Sequence, residues 1–212
     1  MQNSRQRIIL LIFCLAAILA SCAKKEIKNI GSRGENIICF GDSITHGYGA
    51  STGEDYPTLL SKLAGLSVIN AGKEGETTSE ALMRLSEDVL ERNPLLVIVE
   101  LGGNDFLHKI PKEVTRENIN QIVEKIQARG AMVAITDLRA GLLLREYTPV
   151  FKRIAKEKQA IFIPSILSGI ITNPHLKSDF LHPNEAGYKL IAERVYGVIK
   201  PYLEENSRLK QQ

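Results

Sequence analysis

The order of apolar runs in this chain of 212 residues predicts an α/β fold, a three-layer αβα sandwich around a doubly wound, mostly parallel sheet of five strands. Three observations carry that prediction. The runs Ile37–Phe40, Leu66–Ile69, Leu95–Leu101, Ala131–Thr136 and Ala160–Ile163 are short and rich in β-branched residues. Their hydrophobicity is continuous rather than alternating, as expected of strands covered on both faces. Helical patterns separate them, and strands alternating with helices give a parallel sheet wrapped on both sides. The length suits one domain, because single cores rarely outgrow about 250 residues.

The chain opens with Arg5 and Arg7, then an apolar run from Ile8 to Ala20. That run is shorter than the roughly 20 residues needed to cross a bilayer but fits a secretory signal. It ends in Leu19-Ala20-Ser21-Cys22, which resembles a bacterial lipobox. The resemblance implies cleavage before Cys22, a diacylglycerol on its thiol, and an exported protein held on a membrane. The expected organisation is a signal peptide over 1–21, an anchored tether over 22–35, a catalytic-size domain over 36–205 and a polar tail over 206–212.

The first strand, Ile37–Phe40, contains Cys39. With Cys14 in the signal and Cys22 reserved for lipid, Cys39 is left without a partner and reads as a small buried apolar residue. Asp55 is placed to cap a helix with Pro57 in its first turn, followed by Leu59, Leu60, Leu63 and Ala64. After the second strand, a helix is expected over Ser79–Leu90. The third strand leads to a helix carrying Ile119, Ile122, Val123 and Ile126 on one stripe, opening after Thr115 and stopping at Gly130. A fourth helix covers about 143–158. The last starts at Pro183 and ends before Pro201.

Composition narrows the function. The apolar share of 44% and charged share of 24% are those of an ordinary globular chain. Without Arg5 and Arg7, the 27 basic and 24 acidic residues leave a balance of +1, so nothing points to a nucleic-acid partner. No Gly-x-Ser-x-Gly, phosphate loop or dinucleotide fingerprint is present, and His46, His108 and His175 lack metal-ligand spacing.

Chemistry gathers where strands end. Phe40-Gly41-Asp42-Ser43-Ile44 puts a hydroxyl just past the first strand, although Asp and Ser also suit a helix cap. Asn70-Ala71-Gly72-Lys73-Glu74-Gly75-Glu76-Thr77-Thr78 places glycines before a capped helix, either as a flexible loop or as outward backbone donors. Gly102-Gly103-Asn104-Asp105 offers a side-chain amide after the third strand, or a turn. In Asp179-Phe180-Leu181-His182-Pro183 the three-residue spacing lets a carboxylate hold an imidazole in one tautomer. The other ring nitrogen is then free to take a hydroxyl proton. Nucleophile, base, orienting acid and oxyanion donors are the set that acyl transfer requires.

These four segments, in this order, resemble the motif blocks of SGNH/GDSL hydrolases from Ile37 to Leu203. Val99-Glu100-Leu101-Gly102-Gly103-Asn104-Asp105 is most similar to the arylesterase, thioesterase and lysophospholipase branch. The resemblance implies a flavodoxin-like sandwich and a serine ester hydrolase needing no cofactor or metal. It implies Ser43 as nucleophile, His182 as base, Asp179 as its orienting acid, and an oxyanion hole of the Ser43 and Gly75 N–H groups with the Asn104 amide. Gly72 competes with Gly75, which is preferred because the family's glycine directly precedes an acidic residue and Thr. Phe180 departs from the family, where glycine often follows the acid, and alters the expected pocket rim. Leu107, Ile110, Pro111 and 141–144 are candidates for an acyl groove. The expected substrates are aryl, lysophospholipid or acyl-thioester compounds. A carbohydrate O-acetylesterase and a catalytically silent surface lipoprotein are the competing readings.

Overall fold

The computed structural model describes residues 26–139 and 144–212; the expected signal segment, Cys22 and the start of the expected fourth helix lie outside the described residues. Five strands, β1 (Asn36–Gly41), β2 (Val68–Gly72), β3 (Pro94–Glu100), β4 (Met132–Thr136) and β5 (Ile161–Ile163), form one sheet in the order β2-β1-β3-β4-β5. Every pairing is parallel, and one row runs Asn70, Cys39, Ile98, Ala134, Ile161 across all five. The strand order reverses around β1, so a crevice opens beyond the carboxyl ends of β1 and β3.

The helices are α1 (Ser43–His46), α2 (Tyr56–Ala64), α3 (Thr78–Leu85), α4 (Gly103–Leu107), α5 (Lys112–Ala128), α6 (Thr148–Glu157) and α7 (Glu185–Lys210). Alternation along β1 shows the layers. Ile37 and Cys39 pack with Tyr56 and Leu60 of α2 and with Tyr188, Ile191 and Val195 of α7. Ile38 and Phe40 pack with Ala81 and Leu85 of α3, the Ile119–Ile126 stripe of α5, and Phe151 and Ile154 of α6. Both faces of β1, β3, β4 and β5 are therefore buried, which is why these strands read as nearly unbroken apolar runs. The edge strand β2 is only partly covered.

Several element ends differ from expectation. Asp55 does cap α2, its Oδ1 accepting from Thr58 N at 2.9 Å. However, β2 begins at Val68, because Gly65 closes α2 in a left-handed turn (φ 63°) and leaves Leu66 exposed. The second expected helix is α3 followed by a π-helical turn over Ser86–Leu90. The third starts three residues before Thr115, whose hydroxyl is buried against Asp105; an apolar stripe reports the buried face of a helix, not its first turn. The fourth begins at Thr148 rather than near 143. The last is capped by Asn184, begins at Glu185, two residues after the expected start at Pro183, and runs through Pro201 to Lys210.

Two segments expected to trail from the domain are packed onto it instead. Ile27 is buried, Lys28 N donates to Gln159 O at 2.9 Å, and Asn29 Nδ2 reaches Gln127 O and Ala131 O at 2.8 and 2.9 Å. Asn206, in the stretch expected to be a polar tail, is buried and donates to Ile30 O (2.7 Å) and Ser32 O (2.9 Å). Each of these two side chains bonds a pair of backbone carbonyls, which outweighs the polar composition of both stretches.

Candidate active site

The site grows from the end of β1. A Cβ at Gly41 would lie 2.2 Å from Thr45 Oγ1 and 2.5 Å from Glu100 O, so only glycine lets the chain turn there against β3. Asp42 then caps α1, its Oδ1 accepting from Ile44 N at 3.0 Å. Ser43 is the first residue of that short helix, so its N–H is one of the donors a helix start cannot pair internally. Gly47, at φ 96°, ends the turn.

The Asp179 block closes over Ser43. Asp179 Oδ1 accepts from the N–H groups of Leu181 and His182, each at 2.8 Å. Its Oδ2 lies 2.8 Å from His182 Nδ1. With Nδ1 facing a carboxylate, the ring proton belongs there, and Nε2 accepts from the Ser43 hydroxyl at 3.0 Å. Partial burial raises the Asp179 carboxyl, but the His182 ring and the two backbone donors outweigh it and hold the group below its ordinary value. The Tyr48 ring packs 4.4 Å from the His182 ring, and Tyr188 Oη donates to Tyr48 O at 2.8 Å. The imidazole is thus pinned on one side by its acid and on another by an aromatic wall.

The two glycine candidates separate cleanly. Gly72 N donates to Asn70 Oδ1 at 2.9 Å, and the residue packs against the backbone of α1. Gly75, at φ 70°, lines the cavity beside Ser43 and Asn104. Asn104 follows Gly102, whose φ of 112° turns β3 into α4. Its Nδ2 donates to Asp42 Oδ2 at 3.1 Å and Glu76 O at 3.0 Å. Serving a substrate oxyanion therefore means giving up one of these two acceptors.

Three residues quoted within the blocks but given no role in the sequence, Glu76, Glu100 and Asp105, hold this arrangement together with the capping Asp42. Glu100 is fully buried, and its Oε2 accepts from Thr45 N (3.1 Å) and Thr45 Oγ1 (2.7 Å). Its Oε1 has no hydrogen-bond partner among the described residues, and the carboxyl as a whole interacts with that of the buried Asp42. Burial, then the Asp42 charge, pushes Glu100 well above the usual carboxylate range. Burial also lifts Asp42 to about 6, against the Ile44 N–H bond. Glu100 is accordingly the protonated partner, its proton directed at the Asp42 carboxylate. Glu76 is buried and paired with Arg84, whose Nε donates to Glu76 Oε1 at 2.6 Å; a second guanidinium nitrogen reaches Ala71 O at 2.9 Å. That pair fixes the loop bearing Gly75. Asp105 accepts from Thr78 N at 2.8 Å and Thr115 Oγ1 at 3.0 Å, tying the blocks after β2 and β3 together. A charge inside an apolar run, as at Glu100, was the available signal: such a residue needs a buried partner.

Beside Ser43 opens a cavity of about 310 Å³. Ile44, Phe106, Leu138, Leu144 and Leu167 form its walls, and Tyr48, Leu107 and Phe180 its rim. Leu107 and Leu144 are thus where an acyl groove was expected, Ile110 and Pro111 are not part of it, and 141–143 lie outside the described residues. Phe180 is 75% exposed with Lys177 Nζ 5.8 Å from its ring centre.

Comparison with known proteins agrees with this geometry. Residues 39–190 match the model of the GDSL-like Lipase/Acylhydrolase family. An arylesterase of Vibrio mimicus is 30% identical over 88% of this chain and 93% of its own. Esterase TesA of Pseudomonas aeruginosa is 26% identical over 89% of this chain and 99% of its own. Among solved structures, that of TesA superposes with a TM-score of 0.74 at 28% identity, covering 79% of this chain and 99% of the other. The chain belongs to the GDSL-like lipase/acylhydrolase family and is a carboxylic ester hydrolase.

Proposed function

We propose that the chain cleaves acyl esters through an acyl-enzyme on Ser43. The observation that carries this reading is the relay itself, Ser43 Oγ to His182 Nε2 at 3.0 Å and His182 Nδ1 to Asp179 at 2.8 Å, at the edge of an apolar cavity. His182 takes the Ser43 proton as Oγ attacks the ester carbonyl, and Asp179 stabilises the imidazolium. The Ser43 and Gly75 N–H groups and the Asn104 amide receive the oxyanion. His182 returns the proton to the leaving alcohol, then activates the water that releases the acid. The cavity favours an acyl chain over an acetyl group, because each methylene buried there gains about 0.8 kcal/mol, roughly fourfold in kcat/KM. Relatives named arylesterase and, in Escherichia coli, thioesterase 1/protease 1/lysophospholipase L1 support aryl, thioester or lysolipid leaving groups. Arg5, Arg7, the 8–20 run and Cys22 support export and lipid anchoring. Among the described residues no helix is long and apolar enough to cross a membrane.

The test is hydrolysis of p-nitrophenyl esters from acetyl to palmitoyl by the wild type and Ser43→Ala. The wild type should gain with each methylene until the cavity is full. The variant should lose on the order of 10⁶-fold in kcat, the scale seen when a relay serine is removed. Activity retained in the variant would rule out Ser43, and an acetyl optimum would favour the carbohydrate O-acetylesterase reading.

A further inference from the structure

The site and the start of the described chain lie at opposite poles. Ser43, Gly75, Asn104 and His182 follow the carboxyl ends of the strands or the loop that closes over them. The 26–35 segment is tied to the other end. Lys28 and Asn29 bond to Gln159, Gln127 and Ala131, just ahead of β5 and β4. Glu35 and Asn36 bond to Asn93, just ahead of β3. Helix α7 measures the separation. It begins two residues after the His182-Pro183 pair, with Tyr188 bonded beside the mouth at Tyr48 O. By Asn206 it has reached Ile30 and Ser32, about 30 Å further along its axis at 1.5 Å per residue.

Cys22 precedes Ile27 by five residues, and five residues span at most about 18 Å even when fully extended. A lipid on Cys22 therefore cannot bring its own bilayer round to the mouth, because the reach is little more than half the separation. We infer that the mouth is held away from the anchoring bilayer, and that the substrate is an acyl ester dissolved in water rather than a lipid of that bilayer. This rests on the readings of Ser43 as nucleophile and Cys22 as the lipidated residue. The rim of Tyr48, Leu107 and Phe180, all substantially exposed, then serves to catch the acyl chain of an arriving ester.

The experiment uses the full chain processed in bacteria and reconstituted into phosphatidylcholine vesicles. Two probes share one chromophore: p-nitrophenyl butyrate in the water and p-nitrophenyl palmitate in the same bilayer. Each is also measured in detergent micelles, where both reach the mouth. Butyrate turnover should be unchanged between micelles and vesicles. Palmitate turnover should fall at least ~10-fold in vesicles, since tethering confers nothing when geometry forbids engagement. A 30-residue Gly/Ser insert after Lys25, with an r.m.s. span of about 30 Å, should restore it. Palmitate cleaved as fast in vesicles as in micelles without the insert would overturn the inference, and so would a fall that the insert leaves unrepaired. Failure of the underlying readings looks different: no lipid mass on Cys22 in the first case, no turnover of either ester in micelles in the second.

Discussion

Gly41, Asp42 and Glu100 show how far a reactive serine depends on neighbours that do no chemistry. Gly41 leaves room for the turn, Asp42 caps it, and Glu100 holds Thr45 one residue past Ile44. Asn104 belongs to the same mesh through Asp42 and Glu76. Asn104→Ala should lower kcat by about 10²–10³, on the order of 3 kcal/mol, as for one oxyanion donor; wild-type kcat in a folded variant would remove Asn104 from the hole. At this scale the relay was legible, because Asp179 and His182 are three residues apart and their contact is local. Glu100 and Asp42 are 58 positions apart in the chain, and no spacing rule pairs them; the only trace was a carboxylate in an apolar strand. Gly75 is preferred over Gly72 in the sequence only from the motif's acidic residue and Thr; the geometric reason is that the Asn70 side chain occupies the Gly72 N–H.

Among the elements, interiors were legible and ends were not. A strand or stripe is written by the faces it buries, whereas an end is decided by a capping partner elsewhere in the chain. Helix α7 is the clearest case. Proline at position 201 removes one helical hydrogen bond and normally ends a helix, yet α7 continues for nine residues. Asn206 and Lys210 draw its last turns onto Ile30, Ser32 and Gly34. Asn206→Ala leaves two carbonyls without their donor and should cost about 1–3 kcal/mol. Denaturant melts should show the loss, together with faster hydrogen exchange in 26–35. An unchanged midpoint would mean the segment is held by its apolar contacts alone.

For the molecule as a whole, the buried Asp42–Glu100 pair sets a pH dependence of stability. Both groups hold a proton more tightly folded than unfolded. Their contribution is therefore fully present below the ordinary carboxylate range, near 4. It is lost as pH rises, the Asp42 part through its folded value of about 6 and the Glu100 part through its own, which burial sets well above the carboxylate range. Glu100→Gln keeps a donor toward Asp42 and removes one titrating group. Its Tm should gain on the wild type between pH 5 and pH 8, and parallel curves in thermal scans would show that the pair shares no proton. The sandwich itself was readable because a parallel sheet is covered on both faces, which writes all but its edge strand β2 as nearly continuous apolar runs.

The bond from Lys210 Nζ to Gly34 O, 2.9 Å long, has a topological consequence. The two extremities of the folded domain adjoin each other, behind the sheet and far from the relay, so the chain is close to a closed ring. Such a ring tolerates being opened elsewhere. The exposed turn around Thr52 and Gly53, where a Cβ would meet open space, is the natural place. A circular permutant beginning at Gly53, with residue 212 joined to residue 26 through a short glycine linker, should fold and retain esterase turnover. Its near-ultraviolet circular dichroism beside the parent would show whether the native ring order has been preserved.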